Sequence, residues 1–107
     1  MSVDQTKTVD FISTASGGRI ALTISDHLEW GTDDHLFLLQ EKLKSYLRFI
    51  ESGEIYDEYP KAVEQEIVIS VICKFPPDAA GIKFLNSAKM IIEKAGFLFE
   101  YATFSQA

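Results

Sequence analysis

Residues 20–53 read IALTISDHLEWGTDDHLFLLQEKLKSYLRFIESG, a strand that runs through a polar turn into the longest helical pattern in the chain. Ile20, Leu22 and Ile24 alternate with Ala21, Thr23 and Ser25, the two-residue period of a strand whose side chains point to opposite faces. The alternation breaks at Asp26-His27. From Leu36 the apolar positions are Leu36, Leu39, Leu43, Tyr46/Leu47 and Ile50, steps of three and four that lay one stripe along a helix. Thr32 or Asp33 caps its start, because a side-chain oxygen there accepts from the free amides of the first turn. Asp34 adds negative charge at the positive end of the helix dipole. Ser52-Gly53 ends the helix, with Gly53 as the left-handed residue after the last turn. Phe37, Leu38 and Phe49 fall off the main stripe, so the helix is either covered on more than one side or presents some of them to a partner.

On the N-terminal side, Thr8–Ser13 (TVDFIS) reads as a short strand and Ser16-Gly17-Gly18 as a turn. Residues 8–25 therefore form a β-hairpin, with Val9 and Phe11 expected on the face of Leu22 and Ile24. On the C-terminal side, residues 54–65 read as an irregular connection containing Pro60. Glu66–Phe75 (EIVISVICKF) is β-branched and nearly apolar on both faces, the mark of an interior strand. After Pro76-Pro77, Asp78 caps a second helix over 79–95, striped by Ile82, Phe84/Leu85, Ala88, Ile91/Ile92 and Ala95 and followed by Gly96. Phe97–Phe104 is the last strand. The order β-β-α-β-α-β predicts an α+β fold, a two-layer α/β sandwich in which a four-stranded mixed sheet carries two helices on one face. Residues 1–107 form one domain. The sheet's second face, with Val68 and Ile72, is expected to be an open apolar surface that favours a homodimer.

The 107 residues carry a net charge of −6, and its distribution is uneven. Residues 51–66 hold six acids and one base, so the rest of the chain is nearly neutral. A nucleic-acid partner needs a basic face, and only Lys42, Lys44 and Arg48 cluster, so none is expected. No apolar run approaches the roughly 20 residues of a membrane helix, which argues against a membrane partner. The N-terminal MSVDQTKT lacks the layout of a signal peptide. The single Cys73 leaves no internal disulfide to form. These features predict a cytoplasmic protein.

Reactive side chains are densest in the 26–35 turn. Asp26, His27 and His35 are the candidate metal ligands, since imidazole and carboxylate suit zinc, manganese or iron. No HExxH-like spacing is present, and the competing reading is that the acids cap turns while the histidines are ordinary loop residues. Trp30 is expected to pack over the core rather than stack on a ligand. Cys73 lies mid-strand on an apolar face and reads as an inert buried thiol. Gly17-Gly18 has neither the spacing nor the following helix of a phosphate loop. No catalytic residue and no cofactor is assigned. The acidic run supplies the other candidate, a docking patch of Glu54, Tyr56, Asp57, Glu58 and Tyr59 for a basic protein partner.

The segments VDFIS (9–13), LTISDHLEW (22–30), LLQEKLKSYLRFIESGEIY (38–56) and Tyr59-Pro60 resemble those of a family of small bacterial proteins catalogued as a domain of unknown function. TISDHLEW and FIESGEIY are the most specific parts, and the resemblance covers nearly the whole chain. It implies a bacterial, cytosolic, single-domain protein in which Asp26, His27 and Trp30 serve either the fold or a site. It implies no activity.

Two functions follow as expectations. The first is a non-enzymatic binding or interaction protein, of immunity-like type, that self-associates as a homodimer and meets a basic protein through residues 51–66. The alternative is a small metal-dependent or ligand-binding enzyme with its site at the 26–35 turn.

Overall fold

The structure, a computed structural model, describes residues 11–14 and 16–103. Four strands, β1 (Phe11–Thr14), β2 (Ile20–Asp26), β3 (Ile67–Cys73) and β4 (Leu98–Thr103), form one sheet in chain order. β1 and β2 are antiparallel, and β2, β3 and β4 are parallel. The two long helices are α1 (Asp33–Glu51) and α3 (Ala79–Lys94). Between α1 and β3 lies a short helix α2 (Glu54–Glu58), followed by a 3-10 turn, Pro60–Ala62. The connection expected to be irregular is thus partly helical, because Ile55 is drawn fully into the core and Gly53, at φ 87°, turns the chain out of α1 and into α2.

The sheet register explains the core. Ile20, Leu22 and Ile24 of β2 stand beside Ile67, Ile69 and Val71 of β3, and Ile69 stands beside Phe99 of β4. Partnered residues share a face, so these side chains make one apolar surface. Leu39, Leu43, Tyr46 and Ile50 of α1 and Leu85, Ala88 and Ile92 of α3 join them in a single buried cluster. Both long helices therefore lie on one face of the sheet, as the element order implies. The Tyr46 hydroxyl donates to the Thr23 carbonyl at 2.9 Å, fixing α1 against β2.

Three expectations are corrected. The hairpin register pairs Phe11 with Thr23 and Ile12 with Leu22, so Ile12, rather than Phe11, shares the face of Leu22. Val9 lies outside the described residues, as do Thr8, Asp10 and Phe104 of the expected strands. Nor is the second face of the sheet an open apolar surface: Ala21, Val68 and Ser70 are buried there and Ile72 is half-buried. The large apolar side chains left in water include Phe37, Ile82, Met90 and Ile91, all on the long helices. Lys42, read as part of a basic run, is fully buried with Nζ 5.6 Å from the centre of the Tyr46 ring.

Ile69→Ala removes a fully buried side chain from the middle of the central strand, and urea unfolding should show a loss of about 2–5 kcal/mol. Ile91→Ala, 63% exposed, should change stability by less than about 0.5 kcal/mol.

Candidate functional site

The 26–35 turn sits at the carboxyl ends of the parallel strands, where α/β folds commonly place ligands. Asp26 closes β2 and lies beside Cys73, the last residue of β3. Thr32 caps α1, its side-chain oxygen accepting from the His35 amide at 3.2 Å. That cap puts His35 in the first helical turn, with its side chain facing back toward the end of β2. Asp26 and His35 are both buried, and His35 Nε2 lies 2.6 Å from Asp26 Oδ2 and 2.8 Å from Oδ1. Asp26 Oδ1 also accepts from the Leu28 amide at 3.2 Å.

The second ring nitrogen of His35, Nδ1, is 3.0 Å from the Glu29 carbonyl. A carbonyl only accepts, so Nδ1 carries a hydrogen. A neutral imidazole has only that one hydrogen, and the contact at Nε2 therefore needs a second proton. One proton is shared between Nε2 and the Asp26 carboxyl, and every polar atom of the ring is engaged.

Trp30 closes the turn from outside. Its ring centre is 4.1 Å from that of His35, tilted by 41°, and its indole N–H donates to the Phe75 carbonyl at 3.0 Å. The ring lies over the first turn of α3, where Asp78 caps the helix by accepting from the Gly81 amide at 2.7 Å. A Cβ at Gly81 would fall 2.6 Å from Trp30 Cε3, so glycine is what lets the indole seat there. Asp26, His35, Trp30 and Gly81 thus form one packed plug joining the strand ends to both long helices.

The structure brings together Asp26 and His35 of the three candidate ligands and leaves His27 exposed. Among the described residues no group of three or more His, Cys, Asp or Glu side chains is arranged to hold a metal ion. Cys73 is buried, and its thiol is pushed up from 9.0 to about 12, first by burial and second by the neighbouring Asp26 charge. That is the opposite of what a nucleophilic thiolate needs.

The acidic candidates lie at the far end of the molecule. The 19 residues of α1 separate the turn from α2, about 28 Å at 1.5 Å per residue. The turn and the acidic segment therefore do not form one site. Glu54, Tyr56, Asp57 and Glu58 are exposed on α2, while Tyr59 is half-buried and its hydroxyl lies 2.9 Å from Thr14 Oγ1. Four of the five patch residues face water, and Tyr59 ties the segment to β1.

A feature missed in the sequence is a groove of about 320 Å³ between α1 and α3, lined mainly by Leu43, Leu47, Phe84, Ala88 and Ile91, with Lys44 at its edge. Its α1 wall is made by Leu43 and Leu47 of the main apolar stripe, so the periodicity alone does not separate it from the core. Among the described residues, no helix is long and apolar enough to cross a membrane.

The chain belongs to a family of unknown function, DUF6572, whose model matches residues 1–105. No curated protein and no solved structure matches it.

His35→Ala leaves the Asp26 carboxyl buried without its partner, and urea unfolding should register a loss of about 3–5 kcal/mol. Adding Asp26→Ala should then cost less than the sum of the two single changes, because the pair acts as a unit. The Cys73 thiol should resist alkylation at pH 8 until the protein unfolds. An unfolded thiol ionises near 9.0 while the folded one keeps its proton to about 12. The Cys73 contribution is therefore fully present below pH 9 and is lost as pH rises toward 12. Cys73→Ala should flatten that part of a stability–pH curve.

Proposed function

We propose that this is a cytoplasmic, non-enzymatic interaction protein that self-associates and offers an acidic docking surface to a basic protein. One observation carries the reading: Asp26, His35 and Cys73 are turned inward, while the acids of α2 are turned outward. Asp26 and His35 saturate each other inside the plug, and Cys73 is a buried protonated thiol. Glu54, Asp57 and Glu58 face water on α2, with Tyr56 exposed among them. An aromatic side chain within a charged surface suits an interface, where tyrosine anchors and opposite charge speeds encounter. Tyr59 contributes as a foot that holds α2 against β1. Small size, a net charge of −6 concentrated in residues 51–66, and the inward-turned chemistry favour an immunity-like role, in which the acidic surface covers a basic one on a toxin.

Native mass spectrometry of protein purified gently from bacterial cytoplasm tests this reading. The expected spectrum shows a metal-free dimer, or the chain with a basic protein bound. The captured protein should bind the wild-type chain less tightly as salt rises, and bind the E54K/D57K/E58K variant at least about tenfold more weakly. Equal affinity for the two forms removes the acidic docking surface from the proposal. A stoichiometric metal adduct that disappears in His27→Ala/His35→Ala overturns the non-enzymatic reading.

A further inference from the structure

We propose that the groove between α1 and α3 is where two copies of this chain pair, each groove receiving the acidic α2 segment of the other copy. This inference rests on the self-association read above and names its interface, so a second copy and a basic protein compete for the same α2 surface. The floor of the groove is apolar, with Leu43, Leu47, Phe84 and Ala88 along it and Ile91, 63% exposed, at its lip. Its margins are cationic. Lys44 stands on the α1 wall and Arg48 lines the depression that adjoins it. On α3, exposed Lys83 and Lys94 sit one helical ridge outward, four residues before Ser87 and three after Ile91. The acids nearest along α1 are Glu41, already paired with Lys44 at 3.3 Å, and Glu51. A basic margin around an apolar floor stands out on a chain whose net charge is −6.

Such a surface fits an acidic segment that carries its own apolar side chains, and the chain has one. Glu54, Asp57, Glu58 and Glu64 are exposed around Tyr56 and Val63, which are 40% and 52% exposed. Ile55 is fully buried and stays with its own core, so Tyr56 is the side chain free to enter a groove. α2 follows α1 directly, and the depression beside the groove is lined by Arg48, Glu51 and Ser52 of α1's last turns and cap. Donor and acceptor surfaces thus adjoin the same half of α1. A twofold axis across that region sets each acidic segment against the other copy's cationic groove, a self-complementary pairing in which both halves are satisfied and no surface is left to propagate.

Sedimentation velocity on the purified chain provides the test. A dimer is expected at low ionic strength, weakening as salt screens the contacts. E54K/D57K/E58K and K44E/R48E/K83E should each be monomeric at concentrations where the wild type is dimeric, with unchanged circular dichroism. Mixed in equal amounts they should recover a heterodimer, because the reversed segment then meets the reversed groove while the unchanged surfaces meet each other. Misfolding cannot produce that recovery. A wild-type chain that stays monomeric at all concentrations, or a mixture that fails to associate, overturns the inference. So does a dimer indifferent to both variants. If the monomeric chain still binds a basic protein through α2, this inference has failed and the acidic docking surface stands. If K44E/R48E/K83E instead loses only an acidic foreign protein, the groove belongs to that protein and not to a second copy.

Discussion

A carboxylate taken out of water must be met by a counter-charge and by hydrogen-bond donors, and Asp26 is taken out of water at the end of β2. His35 and the Leu28 amide meet that requirement. The consequences spread from there. His35 can reach Asp26 only if α1 begins where it does, and the Thr32 cap holds that start through the amide of the same histidine. With His35 in place, Trp30 has a surface to lie on, and with Trp30 in place α3 needs glycine at position 81. Buried ion pairs are poor sources of net stability. What this one supplies is position, because it sets where both long helices enter the helical layer.

The fold was largely legible because its signals are local and periodic. The alternation of Ile20, Leu22 and Ile24, the unbroken apolar run of β3, and the caps at Thr32 and Asp78 all survive in three dimensions. The failures have physical causes. The hairpin register is decided by cross-strand pairing, which puts Ile12 opposite Leu22, and no local pattern encodes that choice. The connection after Gly53 looked irregular because α2 is held by one inward residue, Ile55, rather than by a repeating stripe.

The candidate site was legible only as an inventory. The sequence contains Asp26 and His35 nine positions apart, but nothing in it shows that a cap folds one ring back onto the other's carboxylate. Once they touch, their lone pairs and protons are committed to each other, and the place where related architectures receive a ligand is filled by this protein's own indole. Acidity was easier to read, since charge concentrated in residues 51–66 needs no tertiary information to be noticed. The groove between the helices was nearly invisible, because its walls are the same leucine and isoleucine types that build the core. Family membership adds breadth without chemistry: it covers residues 1–105 and names no reaction.

The contact between Trp30 and His35 also makes the molecule its own spectrometer. Trp30 is the chain's single tryptophan, and its ring centre lies 4.1 Å from that of an imidazole hydrogen-bonded to both Asp26 and the Glu29 carbonyl. An imidazole that shares a proton with a carboxyl at that range quenches indole emission. Native protein is therefore expected to be dim, and light emitted from the folded population marks molecules whose plug has opened. Opening there parts the strand ends from both helix entries, so one unlabelled optical channel reads out the loosening of the whole helical layer.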